Sequence, residues 1–172
     1  MTVSYTSYEA KVIEAAITML ADSTTFRTMV GAASPTEAKS KIIETDGGDP
    51  SESGQGKATA CDGTTFTVKG SSYAQVACMS FPTDSPVLGW TKRDGEVMIG
   101  LIMLETAGDK PPERMRRAAN VFGAIRDEIE AQAGGVGVLN AIPSLVIRPL
   151  PDLTSGKRAT LQATITIPWS NY

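Results

Sequence analysis

The chain has no histidine, only two cysteines among its 172 residues, and few aromatic side chains (6%). Without histidine there is no Ser-His or Cys-His pair for nucleophilic catalysis. Cys61 and Cys78 stand apart from any Cys-x-x-Cys pair and do not make a zinc site by themselves. Two isolated cysteines suit a reducing compartment where both stay thiols, with a disulfide between them as the open alternative. No long hydrophobic run exists either. The longest apolar stretch, residues 97–104, is interrupted by Gly100 and falls far short of the about 20 residues that a membrane helix needs. Residues 1–9 carry no basic segment followed by an apolar one, so no signal peptide is expected. A surplus of cations is missing as well. The net charge is −3, and the densest basic cluster (Arg114, Arg116 and Arg117) shares its segment with Glu113, Asp127, Glu128 and Glu130. That is not the basic stripe of a nucleic-acid reader.

What the chain does have is an ordinary globular balance, 41% apolar and 20% charged. A length of 172 residues suits one domain over residues 1–172, large enough to bury roughly 70% of its unfolded surface. Val, Ile, Leu, Met and Ala must fill its core. Residues 7–21 predict an amphipathic helix capped by Ser7, with Val12, Ile13, Ala16, Ile17 and Leu20 on one face. A short helix carrying Phe26, Met29 and Val30 follows and stops at Gly31. Ser34-Pro35-Thr36-Glu37 is a capping box with proline at the first helical position. It predicts a helix through Lys39, Ile42 and Ile43 that ends near Asp46-Gly47.

Residues 46–57 are Gly, Asp, Ser and Pro with almost no apolar side chain, and predict a mobile loop. Residues 64–69 alternate as a strand around Phe66 and Val68, and residues 73–79 offer another. Pro82 and Pro86 predict a break before Trp90, and Asp94-Gly95 a turn. Residues 97–104 read as a central strand buried on both faces. Pro111-Pro112 open a helix with Met115, Ala118, Ala119, Phe122, Ile125 and Ile129 on one stripe, which Gly134-Gly135 end. Residues 145–150 form a strand, residues 154–157 a hairpin turn, and residues 160–167 a strand with Leu161, Ala163, Ile165 and Ile167 inward. The expected class is α+β: a twisted mixed or antiparallel β-sheet with helices packed on one face and a long polar mid-chain loop.

Motifs for chemistry are weak. Cys61 before Asp62-Gly63 reads better as a small structural residue beside a turn than as a nucleophile. Gly54-Gln55-Gly56-Lys57 lacks the leading glycine and trailing hydroxyl of a phosphate loop, which Ser51 and Ala58 replace. Gly134-Gly135-Val136-Gly137 follows a helix and lacks the third glycine of a dinucleotide fingerprint. Asp46, Asp49 and Glu52 do not have the spacing of a calcium loop. The chain is therefore expected not to be an enzyme and to use no cofactor or metal. Two features suggest association instead. Trp90 lies between Pro86 and Lys92-Arg93, and Trp169 follows Pro168 close to the end of the sequence. Tryptophan and arginine concentrate where interfaces hold their energy. Trp90, Lys92, Arg93, Arg116 and Trp169 are thus the candidate interface residues; the alternative for each tryptophan is a place in its own core.

The second half of the sequence resembles a known family. A buried strand comes first, then a helix reading Arg-Arg-Ala-Ala-Asn-Val-Phe-Gly-Ala-Ile-Arg-Asp-Glu-Ile, then a hairpin ending Thr-Leu-Gln-Ala-Thr-Ile-Thr-Ile-Pro-Trp. That order resembles the tail-terminator and tail-completion (neck) proteins of long-tailed bacteriophages, over roughly residues 90–170 and more loosely over 5–30. The resemblance implies a virion protein of the tail or neck, assembled in the host cytoplasm. Such subunits form a ring, typically a hexamer, on the head-proximal end of the tail tube. Their partners are copies of themselves, the tail tube protein and the head-tail connector protein, with DNA passing the lumen unbound and no membrane involved. A head-completion or stopper protein remains an alternative, as do a small-molecule binding module of α+β type and an enzyme with unmarked carboxylates.

Overall fold

The computed structural model describes residues 7–45, 56–87, 90–104, 110–136, 144–150 and 160–171. Along the chain run α1 (Tyr8–Asp22), α2 (Thr24–Val30), α3 (Pro35–Lys39), β1 (Ile42–Glu44), β2 (Lys57–Thr59) and β3 (Thr65–Thr67). After them come β4 (Tyr73–Val87), β5 (Trp90–Leu104), α4 (Pro111–Val136), β6 (Ser144–Leu150) and β7 (Thr160–Asn171). A five-stranded sheet has the order β1-β4-β5-β7-β6, while β2 and β3 form a separate two-stranded sheet. β1 runs parallel to β4 and every other neighbour is antiparallel, so the sheet is mixed. The class is α+β, as expected.

Local chemistry accounts for the helix starts. Ser7 Oγ accepts from the Ala10 amide at 3.1 Å. Ser23 closes α1, its amide donating to Met19 and Leu20, and opens α2 by accepting from the Phe26 amide at 3.0 Å. α2 ends at Gly31 with φ 75°, a left-handed position that glycine takes without a side-chain clash. Ser34 Oγ accepts from the Glu37 amide at 3.2 Å and Glu37 Oε2 reaches back to the Ala33 amide at 2.8 Å. The predicted cap is therefore present, with the returning bond made to the amide before the cap residue in place of its own.

The sheet turns one side of each strand to the helices. Ala74 and Val76 of β4, Val97, Ile99 and Leu101 of β5, and Ala163, Ile165 and Ile167 of β7 are all buried. They form one core with Val12, Ala16, Leu20 and Phe26 from α1 and α2 and Ala118, Phe122, Ile125 and Ile129 from α4. Each such large side chain contributes roughly 1.5–3 kcal/mol by leaving water. On the opposite side, the β2–β3 pair covers a patch made by Ile43, Tyr73 and Ile102, with Ala58 beneath it and Phe66 and Val68 alongside. Phe66 meets Tyr73 with ring centroids 5.9 Å apart, and Lys41 Nζ sits 4.7 Å from the Phe66 ring centre. The Cys61 amide ties this hairpin to the Ile42 carbonyl at 2.8 Å.

Several local expectations are corrected. The capping-box helix stops at Lys39, and Ile42 and Ile43 lie in β1. Two adjacent β-branched residues facing opposite sides fit a strand: Ile42 enters the helix-side core and Ile43 the hairpin-side one. Lys57 belongs to β2 and not to a loop; the rest of the predicted mobile loop, residues 46–55, lies outside the described residues. β4 runs on through Pro82 and Pro86 with a register irregularity between them, and Trp90 already belongs to β5. Asp94-Gly95 sits inside β5, paired with Phe81 and Ser80. β5 is central, but beyond the hairpin-covered Ile102 its second face is only partly covered, with Met98 and Gly100 intermediate. α4 continues past Gly134-Gly135 to Val136. The predicted 154–157 turn lies outside the described residues; the β6 and β7 it would join are antiparallel neighbours.

Candidate interface

β5 begins with Trp90, Lys92 and Arg93, and Arg93 is in register with Asn171 of β7. Trp169 is paired with Gly95, two residues further along. The fold thus brings the backbone of four of the five candidate residues to one end of the sheet. The side chains of Trp90, Lys92 and Arg93 are outside the described residues. Arg116 belongs to another surface, the exposed side of α4.

Trp169 is in the core and not on a surface, at 2% exposure. Its ring lies 5.5 Å from that of Tyr8, tilted by 47°. The space comes from Gly95, where a Cβ would run into the Met79 carbonyl and the Trp169 ring itself. The glycine that suggested a turn in the sequence is there because an indole lies across it. The indole Nε1 meets no acceptor at hydrogen-bonding geometry; the group it influences is the Cys78 thiol, whose ionised form it favours.

Neither cysteine is activated, and both are free thiols. Burial, with Asp62 and Glu44 adding their charge, pushes the Cys61 thiol up to about 11, and Cys61 Sγ donates to the Lys39 carbonyl at 3.3 Å. Burial also pushes Cys78 up. A nucleophilic cysteine needs the opposite shift. No cluster of metal-binding side chains occurs among the described residues, and none of their helices is long and apolar enough to cross a membrane.

One acid does a structural job that the sequence did not signal. Glu128 of α4 accepts from Thr25 Oγ1 at 2.6 Å and from the Thr25 amide at 3.2 Å. Burial alone would raise its carboxyl, but bonds from Thr25, Ser23 and the Thr24 and Thr25 amides outweigh that and hold it below the usual range. Gln132 adds a bond from Nε2 to the Met19 carbonyl at 3.4 Å. α4 is thereby fastened to the α1–α2 corner.

The less buried face of the sheet is a second candidate surface among the described residues. Past the hairpin it presents Gln75, Ala77 and Met79 of β4, Glu96, Met98 and Gly100 of β5, and Gln162, Thr164, Thr166 and Pro168 of β7. Val146 of β6 is 48% exposed beside them. The ionisable side chains described here are Asp94 and Glu96, and strand alternation also puts Lys92 of β5 and Arg148 of β6 at positions of this face.

The sheet's edges are guarded. Ala74 N donates to Lys41 O, and Val76 O accepts from Thr45 N, so even-numbered residues of β4 turn their backbone groups toward the β1 side. Pro82 continues that phase past the end of β1, where its missing N–H costs no bond to β5. Following the same alternation through β5 and β7 puts the backbone of Pro149 of β6 facing away from β7, and that of Pro168 facing the β6 side past Ser144. Proline at such positions discourages strand addition by another chain.

No protein-family model matches this chain, and no curated protein matches it in sequence.

Proposed function

We propose that this chain is a structural subunit of a bacteriophage tail or neck, which forms a ring on the head-proximal end of the tail tube, stops tube growth and meets the head connector. The observation that supports the reading is the order β5, α4, β6, β7, with α4 in the layer over the sheet and β7 seated between β5 and β6. That is the order of elements on which the resemblance to tail-terminator proteins rests. The proline-guarded edges favour a ring contact made by side chains over one made by strand pairing. A closed ring of identical subunits needs a heterologous contact, in which two different patches of the subunit meet. The segment from Trp90 to Arg93 is the candidate for one of them.

The test is to add the purified protein to growing tail tubes and measure their length distribution. A terminator narrows the distribution and is found at one end of each tube. Tubes of unchanged length, with no protein at either end, would overturn the reading. Trp90→Ala or Arg93→Ala should weaken end binding while the thermal melt stays in place.

A further inference from the structure

We infer that the exposed face of α4 is a self-complementary docking surface on which a second copy of this chain packs its own α4 in the antiparallel direction. Gly123 is one of the two central residues of the 26-residue helix Pro111–Val136. A glycine inside a helix weakens it relative to alanine. Among the described residues nothing calls for one, since a Cβ at Gly123 would meet none of their atoms within 4 Å. What glycine does provide on an outer face is a low point where another backbone approaches closely.

The charges on this face are arranged about that same point. Arg116 and Glu130 stand seven residues to either side of Gly123, two helical turns away, on its side of the helix. Both are exposed. The neighbouring charges are already matched: Glu113 accepts from the Lys110 amide and Arg126 pairs with Asp127. Arg116 and Glu130 keep no such partner among the described residues. The helix dipole does not explain their order either, because it favours acids toward the N-terminus and bases toward the C-terminus, the reverse of what is present. In an antiparallel pair with its two-fold axis at Gly123, each Arg116 lies opposite the Glu130 of the second copy, so one contact forms twice. Ala119, exposed one turn from Gly123, keeps the crossing low.

This contact is isologous and separate from the heterologous contact a ring requires. A single helix pair lies at the small end of interface sizes, so the dimer forms only at high protein concentration. It is also salt-sensitive, since its ion pairs sit at the rim of the contact.

Sedimentation of the purified full chain over roughly 10 to 500 µM, a range suited to weak association, should show the average mass rising from monomer toward dimer. Arg116→Glu alone and Glu130→Arg alone should each weaken association by roughly tenfold, by setting like charges opposite one another. The double variant R116E/E130R restores the opposite pairing and should recover the parent affinity. Gly123→Leu should abolish the dimer while far-ultraviolet circular dichroism shows the helix kept, because leucine is the better helix former. A monomer at every concentration would overturn the inference. So would association unmoved by Gly123→Leu, or a double variant no tighter than the two single ones. None of these results bears on tube length, so the two readings fail separately.

Discussion

The two faces of the five-stranded sheet share their strands and almost nothing else. Toward the helices, Val97, Ile99, Ile165 and Ile167 are at 0% exposure. On the reverse, the residues alternating with them are Glu96, Met98, Thr164 and Thr166, none of them buried. Shifting a strand by one position would exchange the two sets, so the helix-side core holds the register. Among the described residues, the reverse face is covered where β2 and β3 lie over Ile43, Tyr73 and Ile102. One face packs against the helices, and the described residues of the other are less buried.

The sharpest way to break that contrast is to place a charge on each side. Ile125→Asp puts a carboxylate at a fully buried position of α4. It should cost about 4 kcal/mol or more, because the charge is either desolvated or neutralised at a penalty. Thr164→Lys, on the open face, should stay within roughly 1 kcal/mol. Chemical denaturation of both variants measures the difference. Equal losses would mean that the open face is also core.

A smaller effect is expected where the helix-side core is tightest. Gly95→Ala forces a methyl group into the Met79 carbonyl and the Trp169 ring. The expected loss is about 2–3 kcal/mol, the usual range for overpacking. Tryptophan fluorescence and near-ultraviolet dichroism should change with it, since the indole must move. An unchanged signal would show that Trp169 does not lie over residue 95.

The smallest effect concerns the tether between the helices. The Glu128 carboxyl has its folded pKa below the ordinary 4.5, so the unfolded chain binds its proton more tightly. Its contribution to stability is complete above the ordinary value and is lost as pH falls through the lower folded one. Glu128→Gln should cost about 1 kcal/mol at neutral pH, as for a partly exposed charged hydrogen bond. The cost should vanish in acid, where the parent is protonated too. Melts of both proteins from neutral pH down through the carboxylate range give the comparison. A cost that does not change with pH would mean that the threonine bonds do not depend on the charge.

The elements legible in the sequence were those whose pattern repeats over several turns or pairs. α1 and α4 announce themselves by apolar stripes, and β7 by its strict alternation. The errors cluster where one residue type carries two meanings. Proline reads as a break, yet Pro82 is accommodated in β4 because its missing amide faces away from β5. Gly95 reads as a turn residue, yet it makes room for Trp169. Ile42 and Ile43 read as the continuation of a helix, yet each enters a different core. Among the interface candidates, Trp169 looked like a surface anchor because of its place near the end of the sequence. The tie from Glu128 to Thr25 joins residues 103 positions apart and leaves no local pattern to find.

What the sequence determined by itself is local. The caps at Ser7, Ser23 and Ser34 act on amides three residues away, and the apolar periodicity selects which side of each long element turns inward. Only the tertiary structure decided which strands are neighbours, which sheet face packs on the helices and that Trp169 is buried. Those outcomes depend on contacts between distant segments, whose energies come from the surfaces brought together and not from the chain on either side of each residue.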